Sequence, residues 1–219
     1  MGYTLNFAAV WRDIDLLWAG LAMGLLLALA SIVVGAVLGL LLSFVLISKS
    51  RARPLAAAYV SVFRNTPLLV LVLFTYFALP QLGIRLGKIE SFVATLSLYA
   101  GAYLAEVFRG ALLSVPAGLS EAGLSLGLRP WQTRLLIVVP VMLRTALPSL
   151  SSTFISLFKD TSLAAAIAVP ELTYYARKIN NESFRVIEVW LVASLFYVAT
   201  CVLLAMLLRL FERRLALPK

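Results

Sequence analysis

The sequence predicts an all-α integral membrane protein with five transmembrane helices. Three observations carry that expectation. Of 219 residues, 62% are apolar and 13% charged, with a mean hydropathy of +0.98. Five stretches are long enough to cross a bilayer, and the basic residues gather at alternate span ends. A soluble domain carries about 45–50% apolar and about 25% charged residues, because its surface stays hydrated. The composition therefore excludes an ordinary water-soluble globule. The chain has no histidine and a single cysteine, Cys201, inside an apolar run. That removes a disulfide framework and a Cys/His zinc cluster, so no metal site is expected. No G-x-x-x-x-G-K-[ST] loop occurs, so ATP-driven work would require a partner. Without a basic start and a small-residue cleavage site, the mature chain is expected to begin at Met1.

A bilayer core about 30 Å thick takes roughly 20 residues at 1.5 Å each. The first span, about residues 16–48, is uncharged and carries G-x-x-x-G spacing at Gly20/Gly24 and Gly35/Gly39, which lets backbones approach. The second, about 55–79, holds Arg64 and Pro67 near its start. Two readings of Asn65-Thr66-Pro67 stand. Pro67 kinks the helix and opens carbonyls near Asn65 and Thr66 to a cavity, or it starts a helix that Asn65 or Thr66 caps. The third span, about 91–113, places Glu106 and Arg109 at the spacing of an intrahelical ion pair. For the fourth, the nine residues between Arg134 and Arg144 are too few to cross, so the span is set at about 145–170. Lys159 and Asp160 then fall near mid-membrane. The fifth, about 189–208, is closed by Arg209, Arg213 and Arg214. With no internal repeat and no low-complexity linker, residues 1–219 read as a single transmembrane domain.

Five crossings place the termini on opposite sides. Lys49, Arg51, Arg53, Arg64, Arg109, Arg129, Arg134, Arg144, Arg209, Arg213, Arg214 and Lys219 fall on one side; Arg12, Arg85, Lys88, Arg177, Lys178 and Arg185 fall on the other. The positive-inside rule puts the larger group, with the C-terminus and the loop over 114–144, in the cytoplasm and the N-terminus outside. Basic residues shared among span ends do not form the stripe that nucleic acid needs, and the number and length of the apolar runs exclude a surface-bound helix. Tyr3, Trp11, Trp18, Tyr174 and Tyr175 read as interfacial anchors.

A loop over 114–144 is long for a simple connection and needs a purpose. A short helix is expected over Glu121–Leu128, ended by Pro130. Its small residues suit either a groove on another protein or the bilayer surface. The order Glu121-Ala122-Gly123, three residues, Gly127, nine residues, Ile137-Val138-Val139-Pro140 resembles the E-A-A-x3-G-x9-I-x-L-P signature of ABC importer membrane subunits. It departs only at Gly123 and Val139. Arg64-Asn65-Thr66-Pro67-Leu68-Leu69-Val70, Ala102-Tyr103-Leu104-Ala105-Glu106 with Arg109-Gly110, and Lys159-Asp160-Thr161-Ser162-Leu163 resemble three segments of the polar amino-acid permeases. These are the histidine, glutamine, glutamate and arginine importers, and the resemblance covers roughly residues 16–210.

The resemblance implies a type I ABC importer fold with Glu121, Ala122, Gly123 and Gly127 on a cytoplasmic coupling helix that docks into an ATPase. It also implies a second permease, either a copy or a paralogue, two ATPase subunits that bind ATP and Mg, an extracytoplasmic binding protein, and a bacterial inner-membrane location. This chain would hold no cofactor and catalyse no bond chemistry, while moving a polar or charged L-amino acid. Another small solute, or a secondary transporter, is the alternative. Candidate substrate-pathway residues are Asn65, Thr66, Glu106, Lys159, Asp160, Thr161 and Ser162. An intramembrane charge is costly enough to face protein or a water-filled cavity. Adjacent Lys159 and Asp160 point about 100° apart, so each seeks its own partner. Either they line a site, with Asp160 on an ammonium and the Thr161 and Ser162 hydroxyls or freed backbone N–H groups on a carboxylate, or Lys159 pairs with a neighbouring helix's carboxylate.

Overall fold

A computed structural model describes residues 3–215, with the side chain of Leu215 outside the description. It contains helices α1 (Ala8–Arg12), α2 (Ile14–Ile47), α3 (Arg53–Asn65), α4 (Leu68–Leu82), α5 (Lys88–Leu113), α6 (Ala117–Ser125), α7 (Pro130–Ile167), α8 (Leu172–Ser183) and α9 (Val186–Leu215). Helices α2, α5, α7 and α9 are each long and apolar enough to cross a membrane, and α3 with α4, bent by 103° at their break, are so only when taken together. The bundle has an α6 end, where α2 and α5 finish and α7 starts, and an α8 end. A buried run from Leu27 through Phe92, Leu96, Leu104 and Met142 to Leu157 forms the central core.

The two glycine pairs of α2 are contact points. A methyl at Gly35 would sit 2.6 Å from the Ala100 Cβ, and one at Gly39 2.8 Å from the Ala105 nitrogen. The backbones of α2 and α5 meet there with no room for a side chain, which in lipid replaces hydrophobic burial as the packing device. Gly20 does the same beneath the backbone of Glu171 and Leu172.

The structure decides between the two readings of the second span, and the fourth span differs from the expectation. The second span breaks at Thr66–Pro67, where ψ is 131° and 132°, far from helical values. The side chains cap backward: the Asn65 amide donates to the Ser61 carbonyl at 2.7 Å and the Thr66 hydroxyl to the Val62 carbonyl at 2.8 Å. Neither residue caps α4. They satisfy acceptors freed where α3 stops, and Pro67, which has no N–H to donate, opens α4.

The loop is shorter than 114–144, because α7 begins at Pro130 and runs without interruption through Arg134 and Arg144. The nine-residue argument treated each arginine as a span end. Arg134 instead lies at the helix start with its guanidinium over the Phe44 ring, 5.9 Å from the centroid, and Arg144 lies on an exposed face. The helix end moves with them. Thr161 packs opposite Gly24 of the 34-residue α2, so Lys159 and Asp160 lie nearer the α8 end of that helix than its α6 end. Beyond Asp160 the helix tightens to 3₁₀ geometry over Thr161–Ile167 and stops at Ala168, whose φ is 56°. Lys88 donates to the Ala168 carbonyl at 2.7 Å, the favourable end for a cation.

Helix α6 starts at Ala117, earlier than expected, and its terminator is Gly127 rather than Pro130. Gly127 has a φ of 84°, and the N–H groups of Gly127 and Leu128 return to the Leu124 and Gly123 carbonyls at 3.0 and 3.1 Å. That is a Schellman termination, which favours glycine at this position.

Candidate functional site: a polar face in an apolar bundle

One face of α7 carries Arg144, Thr145, Ser149, Ser152, Ser156 and Lys159, all exposed, with Asp160 half-buried beside them. The steps along 145, 149, 152, 156 and 159 are of three or four residues, so they form one stripe. Helix α5 contributes a second stripe through Tyr99, Tyr103, Glu106 and Gly110. The two meet in a cavity of about 290 Å³ lined by Glu106, Gly110, Ser114, Thr145 and Ser149. A neighbouring cavity of about 360 Å³ joins Glu106 and Tyr103 to Ser61, Arg64 and Asn65 at the break of the second span. Glu106 belongs to both cavities.

Glu106 accepts from Arg109 at 2.6 and 3.0 Å, the intrahelical pair that the spacing predicts. Arg64 stacks over Tyr103 at 5.3 Å, and Tyr103 and Tyr99 share a hydroxyl contact of 3.1 Å. A polar line thus runs from the hinge along α5 to Tyr99. Among the described residues neither Lys159 nor Asp160 makes an ion pair, so Lys159 is not held by a carboxylate of this chain. Lys159 is exposed and Asp160 half-buried, a divergence expected of helical neighbours. Thr161 is fully buried with its hydroxyl donated to the Phe158 carbonyl at 2.7 Å. Here it serves the α2–α7 contact and offers nothing to the open face; Ser162 is half-buried.

At the α8 end a cavity of about 700 Å³ opens between Tyr76 and Phe77 of α4, the 3₁₀ turn of α7, and Tyr174, Arg177, Lys178, Asn181 and Glu182 of α8. Tyr76 and Phe77 stand on a π turn, Phe74–Ala78, a distortion frequent at functional sites. Helix α8, absent from the sequence reading, is anchored by Glu171. Both its oxygens accept N–H groups, from Thr173 and Tyr174 at 2.8 Å, and the Tyr197 hydroxyl donates to it at 3.0 Å. Burial pushes its carboxyl up to about 7 against these hydrogen bonds, which favour the charged form. An acid directly before a polar helical run is an N-cap signal that could have revealed it.

On α6, Glu121 and Ala122 are exposed, whereas Gly123 is buried against α7, where a methyl would meet Ile137 at 2.8 Å and Thr133 at 2.9 Å. Leu126 is 83% exposed at its tip. The outer surface of α6 thus presents Glu121, Ala122 and apolar residues, while Gly123 and Gly127 shape the helix from within and at its end.

The family described as the binding-protein-dependent transport system inner membrane component matches residues 31–217. The glutamine transport system permease protein of Escherichia coli strain K12 is 38% identical over 213 residues, 96% of this chain and 97% of that protein. The L-cystine transport system permease protein of Bacillus subtilis strain 168 is 34% identical over 219 residues, with 97% and 94% covered. Among solved structures, an amino acid ABC transporter crystallised with histidines superposes with a TM-score of 0.89 at 29% identity, over 97% of this chain and 100% of that one. The inward-facing MetNI methionine ABC transporter shares the fold, with a TM-score of 0.75 at 20% identity and the same coverage.

Proposed function

The chain belongs to the family of binding-protein-dependent transport system inner membrane components, within its amino-acid ABC transporter permeases, and from that premise we propose that it forms half of an ATP-driven pore for a polar or charged L-amino acid. The observation that carries this reading is the polar face of α5 and α7. Thr145 and Ser152 return their hydroxyls to their own helix and Glu106 is paired with Arg109, but a lone bundle in lipid would leave the charges of Arg144, Lys159 and Asp160 facing hydrocarbon. A second permease, a copy or a paralogue, laid against this face would close it into a water-filled path with Asp160 near the outer mouth.

In this reading the α6 end is cytoplasmic, where Lys49, Arg51, Arg53, Arg129, Arg134, Arg213 and Arg214 gather, and the N-terminus is outside. Two ATPase subunits bind ATP and Mg and receive α6 through Glu121 and Ala122. A binding protein delivers substrate at the α8 end, where the 700 Å³ cavity opens. ATPase closure draws the two α6 helices together and tilts the spans, so the face opens outward; hydrolysis resets it. Asp160 meets the substrate's ammonium, and the Ser162 hydroxyl or backbone N–H groups freed at the 3₁₀ turn meet its carboxylate.

The test is uptake of labelled amino acids into proteoliposomes containing this chain, the ATPase and the binding protein. Uptake that proceeds unchanged without ATP overturns the reading. A hydrogen bond to a charged group contributes about 1.5–3 kcal/mol, so Asp160→Asn is expected to lower uptake by about ten- to a hundredfold. An Asn variant with wild-type rate and affinity removes Asp160 from the site.

A further inference from the structure

Behind α6 lies a cavity of about 310 Å³ that the transport reading does not use. Phe44 and Ile47 of α2, Leu112 of α5 and Leu124 of α6 make its apolar walls, and Thr133 and Arg134 at the start of α7 make its polar floor. Two features point to a ligand. The Thr133 hydroxyl is unpartnered although the residue is only 3% exposed, a state that buried polar groups rarely keep without a missing partner. Beside it the Arg134 guanidinium, which pairs with no carboxylate among the described residues, leans over the Phe44 ring at 5.9 Å. One cation and one free hydroxyl on an apolar wall make a binding site for an anion that carries hydrocarbon, since a bare ion would leave most of the wall unfilled.

We infer that this cavity seats the headgroup phosphate of an anionic phospholipid, with its oxygens on Arg134 and Thr133 and its first acyl carbons along Phe44 and Leu112. The inference rests on the reading that the α6 end faces the cytoplasmic leaflet. Its position supports a lipid source: the walls continue the membrane-spanning surfaces of α2 and α5, and Lys49, Arg51 and Arg53, which follow α2, draw anionic headgroups to the same end. A lipid seated there props α6 against the bundle, so transmission through α6 depends on leaflet composition. The Thr133 hydroxyl lies directly beneath α6, 3.1 Å from where a Gly123 methyl would stand.

The experiment uses the purified complex in nanodiscs of phosphatidylcholine with or without phosphatidylglycerol. Native mass spectrometry reads retained phosphatidylglycerol, and thermal unfolding reads the stabilisation it confers. Because one basic side chain near the surface contributes about 1 kcal/mol toward an anionic leaflet, Arg134→Gln is expected to lower retention about fivefold. Arg209→Gln, the same charge change at the same end but outside the cavity, is expected to leave retention unchanged. Thr133→Val, close in shape, keeps the fold testable if the arginine variant does not assemble; it is expected to lose the phosphatidylglycerol-dependent rise in unfolding temperature. Wild-type retention in both cavity variants overturns the inference. So does displacement of the lipid by millimolar inorganic phosphate that stabilises the protein equally, which would make the cavity a simple anion site. Lipid retention does not require transport, so retention that both cavity variants leave unchanged beside ATP-dependent uptake rejects this site alone, and cavity-dependent retention beside ATP-independent uptake rejects the transport reading alone.

Discussion

Gly123 offers the sharpest link between packing and coupling. Adding one methyl there replaces a poor helix former with the best, a gain of about 1 kcal/mol in a helix interior. The same methyl would lie 2.8 Å from the Ile137 Cδ1, 2.9 Å from the Thr133 Cγ2 and 3.1 Å from its hydroxyl. Ile137 Cδ1 is the far end of a flexible side chain and can turn away. Thr133 is β-branched, stiff and buried. Overpacking of this kind costs about 1–3 kcal/mol, so Gly123→Ala should destabilise the chain by up to about 2 kcal/mol net. Gly118→Ala, on the same helix with nothing within 4 Å, should be neutral or stabilising. Thr133→Ser removes the offending Cγ2, so in a double-mutant cycle it should restore about 1 kcal/mol when combined with Gly123→Ala and not in the wild type. Chemical denaturation in nanodiscs measures all four proteins of the cycle, and ATPase stimulation by the loaded binding protein reports whether a displaced α6 still transmits. If Gly123→Ala stabilises as Gly118→Ala does, the contact between α6 and α7 is not what requires a glycine.

Other consequences are equally direct. Gly39→Ala should separate α2 from α5 and lower stability by about 1–3 kcal/mol, because the blocking atoms include Ala105 and Gly101 backbone; Gly110→Ala, facing open space, should not, and equal unfolding temperatures would dismiss the close approach. Glu171 holds its proton up to about pH 7 when folded but titrates near 4.5 when unfolded. The native state therefore binds more protons between those values, and its contribution, full below pH 4.5, falls by up to roughly 3 kcal/mol as pH rises through 7. Glu171→Gln should flatten that part of the melting-temperature profile, and a profile with the wild-type slope would refute the assignment. Glu121→Lys should abolish ATPase stimulation while leaving the chain inserted; normal uptake by that variant would remove α6 as the coupling element.

How much of this was legible in the sequence follows from which signals are local. The uncharged run over 16–48, the Glu106–Arg109 pair and the break at Pro67 depend on residues within one or two turns, and each was readable. The α6 signature was readable as a pattern, yet the pattern hides a division of labour. Glu121 and Ala122 face outward, Gly123 faces α7, and Gly127 ends the helix through a positive φ. Helix α8 went unread because its buried anchor joins Glu171 to Tyr197, 26 residues away on another span. Thr161 was read as a pathway hydroxyl because a sequence alone leaves the rotation of a helix open; Gly24 on α2 fixes that rotation and turns Thr161 inward.

The misplaced fourth span shows what a charge in a membrane helix means. Taking Arg134 and Arg144 as boundaries assumes that hydrocarbon surrounds every face of the helix. Arg144 shares its exposed face with Thr145, Ser149, Ser152 and Ser156, so this face is polar along most of α7 and an arginine there does not report a bilayer edge. The same correction moves Asp160 toward the α8 end and brings it near the 3₁₀ turn that lines the 700 Å³ cavity. In the transport reading, a substrate arriving there travels only a short distance before meeting Lys159 and Asp160, which make no ion pair among the described residues. Beyond them toward α6 lie hydroxyls and the self-paired Glu106–Arg109. Lys159 and Asp160 thus lie toward the α8 end and the paired Glu106 and Arg109 toward the α6 end, the order in which a substrate would meet them in the transport reading.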